Sequence, residues 1–147
     1  MDDKGRSFPS HYVLASTVFT FIGKVVAEVR QSGLDQAGLR LWRTPGAPRL
    51  ATAMTGLRSN GDISEPVHIT VYGCRPGRLE LTLVSKEQTP LLVDIDGKPA
   101  AHIALTPGKI WKGSVPAPPQ ANGNRRCVYG LSSPGLVSST RIKFVPR

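Results

Sequence analysis

The stretch "LLVDIDGKPAAHIAL", residues 91–105, sets two apolar runs on either side of Asp96-Gly97. Asp-Gly between alternating segments is the strongest short hairpin signal, because both central residues of the turn take positive φ. Just upstream, "RLELTLVS" (78–85) alternates Leu79, Leu81 and Leu83 with Arg78, Glu80 and Thr82. A period of two describes a strand with one buried and one wet face. Together the two segments predict an antiparallel all-β fold.

The same texture extends outward. Apolar or alternating runs recur as "LRLWR" (39–43), "RLATAMTGL" (49–57), "VHITVYGC" (67–74), "IWKGSV" (110–115), "RCVYGLS" (126–132) and "STRIKFV" (139–145). Between them lie breakers such as "TPGAP", "SNGDISEP", "RPG", "TPGK", "PAPPQANGN" and "SPG". Eight or nine short strands so punctuated predict a two-sheet antiparallel β-sandwich, jelly-roll-like, over residues 39–147. Residues 1–38 read as an N-terminal extension, strand or linker, with "RQSGLDQAG" (30–38) as a polar connector or one helical turn. In that extension "YVLASTVFTFIG" (12–23) is too short to span a bilayer, which takes about 20 residues. "MDDKGR" is no cleanly basic start, and no small-x-small cleavage site follows the run. The segment therefore reads as one or two strands with Phe19 and Phe21 on one face; a membrane-proximal remnant is the alternative.

The net charge of +9 is unevenly placed. Residues 1–96 hold eleven Lys/Arg against all ten Asp/Glu, whereas residues 97–147 hold eight Lys/Arg and no carboxylate. Such a field favours an anionic neighbour, whether membrane headgroups, a phosphorylated polymer or lipid, or nucleic acid. The bland alternative is a merely soluble basic surface. Nucleic acid is disfavoured, because no base-reading motif is visible and aromatics make up only 6% of the chain.

Cys74 closes one apolar segment and Cys127 opens another. A disulfide between strands is favoured over two free thiols, and would close a 53-residue loop in an oxidising compartment. There is no C-x-x-C, and His11, His68 and His102 are scattered, so zinc is not expected. No G-x-S-x-G, phosphate-binding loop, HExxH or EF-hand occurs, and no cofactor is implied. Asp94 and Asp96 could mimic a carboxylate pair, but the hairpin accounts for Asp96 and leaves Asp94 as an exposed strand residue. Asp62 in "SNGDI" reads as a turn residue bonding its own backbone.

Binding candidates are better supported. Trp111 in "GKIWKG", flanked by Lys109 and Lys112, suits stacking on a sugar beside an acidic or phosphorylated group, with a place in the core as the equal alternative. Arg125 and Arg126 could add charge. Trp42, between alternating leucines, reads first as core and second as a ligand contact.

The series "LRLWRT", "GLRSNGD", "TVYGC", "LELTL", W-x-G-x-V-P-A-P and the closing C-x-Y…GLVSSTRIxF resembles the extracytoplasmic C-terminal region of actinobacterial multi-pass membrane glycosyltransferases, over residues 39–147. The resemblance implies a non-catalytic β-sandwich outside the membrane that holds or positions a glycan, with its cysteines paired. The transmembrane helices and catalytic acidic motif of those enzymes are absent here, so glycosyl transfer is not carried over. The expected protein is thus an extracytoplasmic, non-enzymatic module for a cell-envelope glycan or anionic lipid-linked sugar. The alternative is a structural domain docking through its basic surface onto a membrane-protein partner.

Overall fold

The computed structural model describes residues 11–30, 38–58, 60–118 and 125–146. Among these every regular element is a strand: β1 (His11–Ser16), β2 (Phe19–Phe21), β3 (Lys24–Arg30), β4 (Gly38–Thr44), β5 (Leu50–Thr55), β6 (Asp62–Ile63), β7 (Val67–Val71), β8 (Gly77–Ser85), β9 (Thr89–Ile95), β10 (Lys98–Leu105), β11 (Trp111–Pro116), β12 (Cys127–Ser132) and β13 (Val137–Pro146). All pairings are antiparallel.

The strands form three sheets, ordered β10-β9-β12-β7-β5-β2, β11-β8-β13-β6 and β1-β4-β3. The first two face each other across one core. Val67, Ile69, Leu91, Val93, Ile103 and Leu131 come from the six-stranded sheet, and Leu79, Leu81, Leu83, Val115 and Val137 from the four-stranded one. Tyr129 and Phe144 meet across the gap with ring centroids 6.3 Å apart. The leucine alternation read in β8 is the inward face: Leu79, Leu81 and Leu83 are buried, while Arg78 is exposed and Glu80 and Thr82 are half-exposed.

The expected count of eight or nine strands in two sheets is corrected to thirteen in three. All nine expected segments are strands. Three more arise within residues 11–30, where one or two were expected, and the last is β6, two residues long inside the turn-rich "SNGDISEP". A two-residue strand lacks the alternation that makes strands visible in sequence. The boundary expected near residue 38 falls between β3 and β4, which pair with each other. The connector 31–37 and the loop 119–124 lie outside the described residues.

At the Asp96-Gly97 turn both residues have positive φ, 53° and 82°, and Lys98 pairs with Ile95. The tip is also pinned sideways. The Asp96 amide donates to the Val128 carbonyl at 2.8 Å, and Asp96 Oδ1 accepts from the Val128 amide at 3.0 Å. Asp96 is therefore occupied structurally. In the 58–64 turn it is Asn60 whose side chain accepts the Asp62 amide, at 3.0 Å, while Asp62 Oδ1 accepts the Ser138 hydroxyl. This corrects the self-bonding role expected of Asp62.

Cys74 and Cys127 form a disulfide, Cα to Cα 5.5 Å. It ties the end of β7 to the start of its sheet neighbour β12, where Cys127 lies opposite Val71.

Tyr129 is fully buried and its hydroxyl has no hydrogen-bond partner among the described residues. Burial, with the Asp96 carboxylate adding to it, pushes its phenol from 10.0 up to about 12. Because the unfolded chain loses this proton first, stability is undiminished below pH 10.0 and falls as pH rises toward about 12. Tyr129→Phe is expected to remove that alkaline loss and to raise neutral stability by about 1 kcal/mol, since an unpaired buried hydroxyl is a net cost. Urea unfolding of both proteins at pH 8 and pH 11 checks it; equal alkaline losses would contradict the assignment.

Candidate functional site

The four-stranded sheet is too narrow to cover its partner. β6 pairs only with Val137 and Ser138, so from Thr140 onward β13 has no described strand on that side. Opposite this shortfall the six-stranded sheet continues through β7, β5 and β2. The three-stranded sheet meets that edge: the Phe21 ring of β2 lies 6.0 Å from the Trp42 ring of β4, tilted 59°. The three sheets thus enclose a groove of about 490 Å³. That volume is within the range of about 300–1,000 Å³ in which small ligands are held.

Each wall contributes a different chemistry. The six-stranded sheet supplies Met54 and Ile69 together with the hydroxyls of Thr20 and Thr52, which hydrogen-bond to each other at 2.6 Å. The three-stranded sheet supplies Trp42 and Arg40, which share a face because they are two residues apart on β4. Arg40 Nε is 3.5 Å from Glu28 Oε1 on β3, its register partner. β13 supplies Ile142 and Phe144, while Arg141 and Lys143 border the groove from the strand's outer face. Trp42 is 8% exposed, and its indole N–H is buried without an acceptor among the described residues. A buried donor left unpaired costs about 1–3 kcal/mol, a cost that an acceptor reaching it would recover.

The six residues singled out in the sequence fall in three places. Trp42 walls this groove. Arg125 and Arg126 line a second cavity of about 700 Å³, beside the disulfide and the β9–β10 turn, with Lys98, Asp96, Pro99 and Pro116. Trp111, Lys109 and Lys112 line neither cavity. Adjacent strand residues point to opposite faces, so Trp111 and Lys112 are separated by the pleat. Lys112 is exposed on the outer face, whereas Trp111 is half-buried, packed against the core, its indole lying over Gly113. Any side chain at 113 would strike that ring, which is why glycine stands there.

Arg40, Arg141, Lys143, Glu28 and the Thr20–Thr52 pair escaped sequence reasoning. They come from five strands spread over residues 20–143, and no local spacing joins them. The surplus of cations in 97–147 was the one usable signal. No group of three or more His, Cys, Asp or Glu able to hold a metal exists among the described residues.

No protein-family model matches the chain, and no curated protein matches it. Solved structures with some likeness include two mutants of a family 29 carbohydrate-binding module, one of them complexed with mannohexaose. Each is 12% identical, spans 90% of this chain and 94% of the other, and has a TM-score of 0.27 or, for the complex, 0.30. A further mutant of a family 29 module is 10% identical over 88% of this chain and 93% of its own, with a TM-score of 0.27. Overlap at this level assigns neither fold nor function. The class defined by the protein's own geometry is an all-β module with a polar groove where three sheets meet.

Proposed function

We propose that the protein is a non-catalytic glycan-binding module that holds a cell-envelope glycan or lipid-linked sugar in the groove between its three sheets. The observation that carries this reading is the buried indole N–H of Trp42, without an acceptor among the described residues, in the wall of a groove that also offers apolar surface, hydroxyls and the Arg40 guanidinium. Sugars present both ring C–H surface and many hydroxyl acceptors, and a groove of mixed polarity suits them better than a flat apolar ligand. The contact to Trp42 is a hydrogen bond to its edge, since Phe21 and burial leave no open ring face for stacking. The disulfide supports placement outside the cytoplasm, where such bonds persist. Work beside a glycosyltransferase-like membrane system is the setting we propose for such a module.

Trp42→Phe keeps an aromatic ring and removes the donor. It is expected to weaken a sugar found on a glycan array by about tenfold in titration calorimetry, the worth of one well-made buried hydrogen bond. No array member above background, or wild-type affinity in Trp42→Phe, would sink this reading.

A second reading, a domain that docks onto a membrane-protein partner, draws on two surfaces. The outer face of the four-stranded sheet carries Arg78, Lys112, Arg141 and Lys143 around one acid, Glu80. The three-stranded sheet leaves Tyr12, Leu14, Val29 and Leu39 between 45% and 67% exposed. Under this reading a partner pull-down is salt-sensitive while every sugar titration is silent.

A further inference from the structure

We propose that the outer face of the three-stranded sheet rests on the surface of an anionic lipid bilayer. This face lies on the far side of the sheet from the groove and is independent of the glycan-binding reading.

The pleat fixes which side chains form the face. Val25, Glu28, Arg40 and Trp42 line the groove, so the residues alternating with Arg40 and Trp42 on β4 point away from it. These are Leu39, Leu41 and Arg43. In the strand register Leu39 lies between Ser16 and Val29, Leu41 between Leu14 and Ala27, and Arg43 between Tyr12 and Lys24. The bulge between Val25 and Ala27 switches the alternation of β3, which puts Val29 outside while Glu28 stays inside with Arg40. Tyr12, Leu14, Val29 and Leu39 are exposed, and Leu41 among them is half-buried. They form one apolar patch with Lys24 and Arg43 grouped at its Tyr12 end. A contiguous apolar patch with a polar rim marks a contact surface.

Charge decides what covers the patch. The three strands carry one carboxylate, Glu28, and it lies on the groove side against Arg40. Lys24 and Arg43 are exposed, and neither is in an ion pair among the described residues. A second copy laid face to face would add apolar surface and two more cations, with no anion on either strand set to meet them. A protein partner would need a fitted apolar counterface with acids at one edge of it. An anionic bilayer supplies negative charge over its whole surface and takes up apolar side chains without a fitted counterface. Lying flat, the sheet presses Leu14, Leu39 and Val29 toward the boundary between headgroups and acyl chains. The long stems of Lys24 and Arg43 let their charges reach headgroup phosphates, and the Tyr12 hydroxyl stays wet.

The test is co-sedimentation of the full chain with two kinds of vesicle, phosphatidylcholine alone and phosphatidylcholine with about 30% phosphatidylglycerol. The anionic vesicles are expected to bind about tenfold or more tightly, a preference that shrinks several-fold between about 50 and 300 mM NaCl. Lys24→Gln/Arg43→Gln is expected to weaken that binding about tenfold. Leu14→Thr/Val29→Thr keeps residues compatible with a strand and removes apolar surface; it is expected to weaken binding about tenfold even at low salt. All four positions are exposed, so both variants are expected to fold, which the Tm reports. Absence of binding, or equal binding to the two kinds of vesicle, overturns the proposal. Anionic binding that either variant keeps in full also overturns it, because the lipid then meets another surface, such as the one bearing Lys112 and Lys143. Dimerisation in sedimentation velocity that is lost in Leu14→Thr/Val29→Thr overturns it in favour of a second copy. Neither kind of vesicle carries a glycan, so failure here leaves the glycan-binding reading standing, and a blank glycan array leaves this proposal standing.

Discussion

The Cys74→Ala/Cys127→Ala protein is expected to be less stable than the oxidised wild type by about 4 kcal/mol, the chain-entropy value for a loop of 53 residues. The closed loop contains β8, β9, β10 and β11, four of the ten strands in the two sheets that share the core. In the oxidised unfolded chain these strands stay tethered near β7 and β12; without the bond they are free, and folding must pay that entropy. For a domain of this size the loss corresponds to a fall in Tm of roughly 10–15 °C. Both half-cystines are buried, at 0% and 4% exposure, so alanine also leaves a small apolar void that adds to the loss. Thermal unfolding of the double variant beside wild type, with and without reductant, measures it. Wild type that melts at the same temperature reduced and oxidised would show that the bridge constrains little.

Leu81→Ala is expected to cost about 3 kcal/mol and Leu92→Ala less than about 0.5 kcal/mol. Leu81 is 1% exposed at the middle of β8, between β11 and β13, where Gly113 and Ile142 are its register partners. The opposite sheet closes over it, and the surrounding strands cannot collapse into the space a leucine vacates. Leu92 is the same residue type at the centre of β9, yet it is 42% exposed, because its neighbours Leu91 and Val93 take the inward face. Urea midpoints of the two variants compare directly if their m-values agree. A small loss at Leu81 would mean that the two sheets do not pack as one core.

Much of this architecture is legible in the chain. The Asp96-Gly97 hairpin, the buried leucines of β8 and the strand character of nine segments follow from turn chemistry and period-two alternation, which are local properties. Cysteine placement pointed to the bridge for a similar reason, since each cysteine adjoins a segment already readable as a strand. What escaped was shorter or non-local. β6 has two residues, and β1 to β3 lie in a run that also resembled a membrane-proximal remnant. The pairing of "KIWKG" into one binding patch was lost because the pleat sends Trp111 inward and Lys112 outward.

Residue order by itself determined that the protein is all-β, where its central hairpin turns, which leucines are buried and where its positive charge accumulates. These depend on contacts within a few residues. Only the tertiary structure decided that a four-stranded sheet faces a six-stranded one, and that a third sheet built from the N-terminal strands meets their mismatched edge. The groove exists because β6 ends after Ile63 and leaves β13 uncovered beyond Ser138. Trp42, Arg40 and Phe144 come to line one groove only through that mismatch, a matter of strand lengths and sheet packing that no spacing in the chain records.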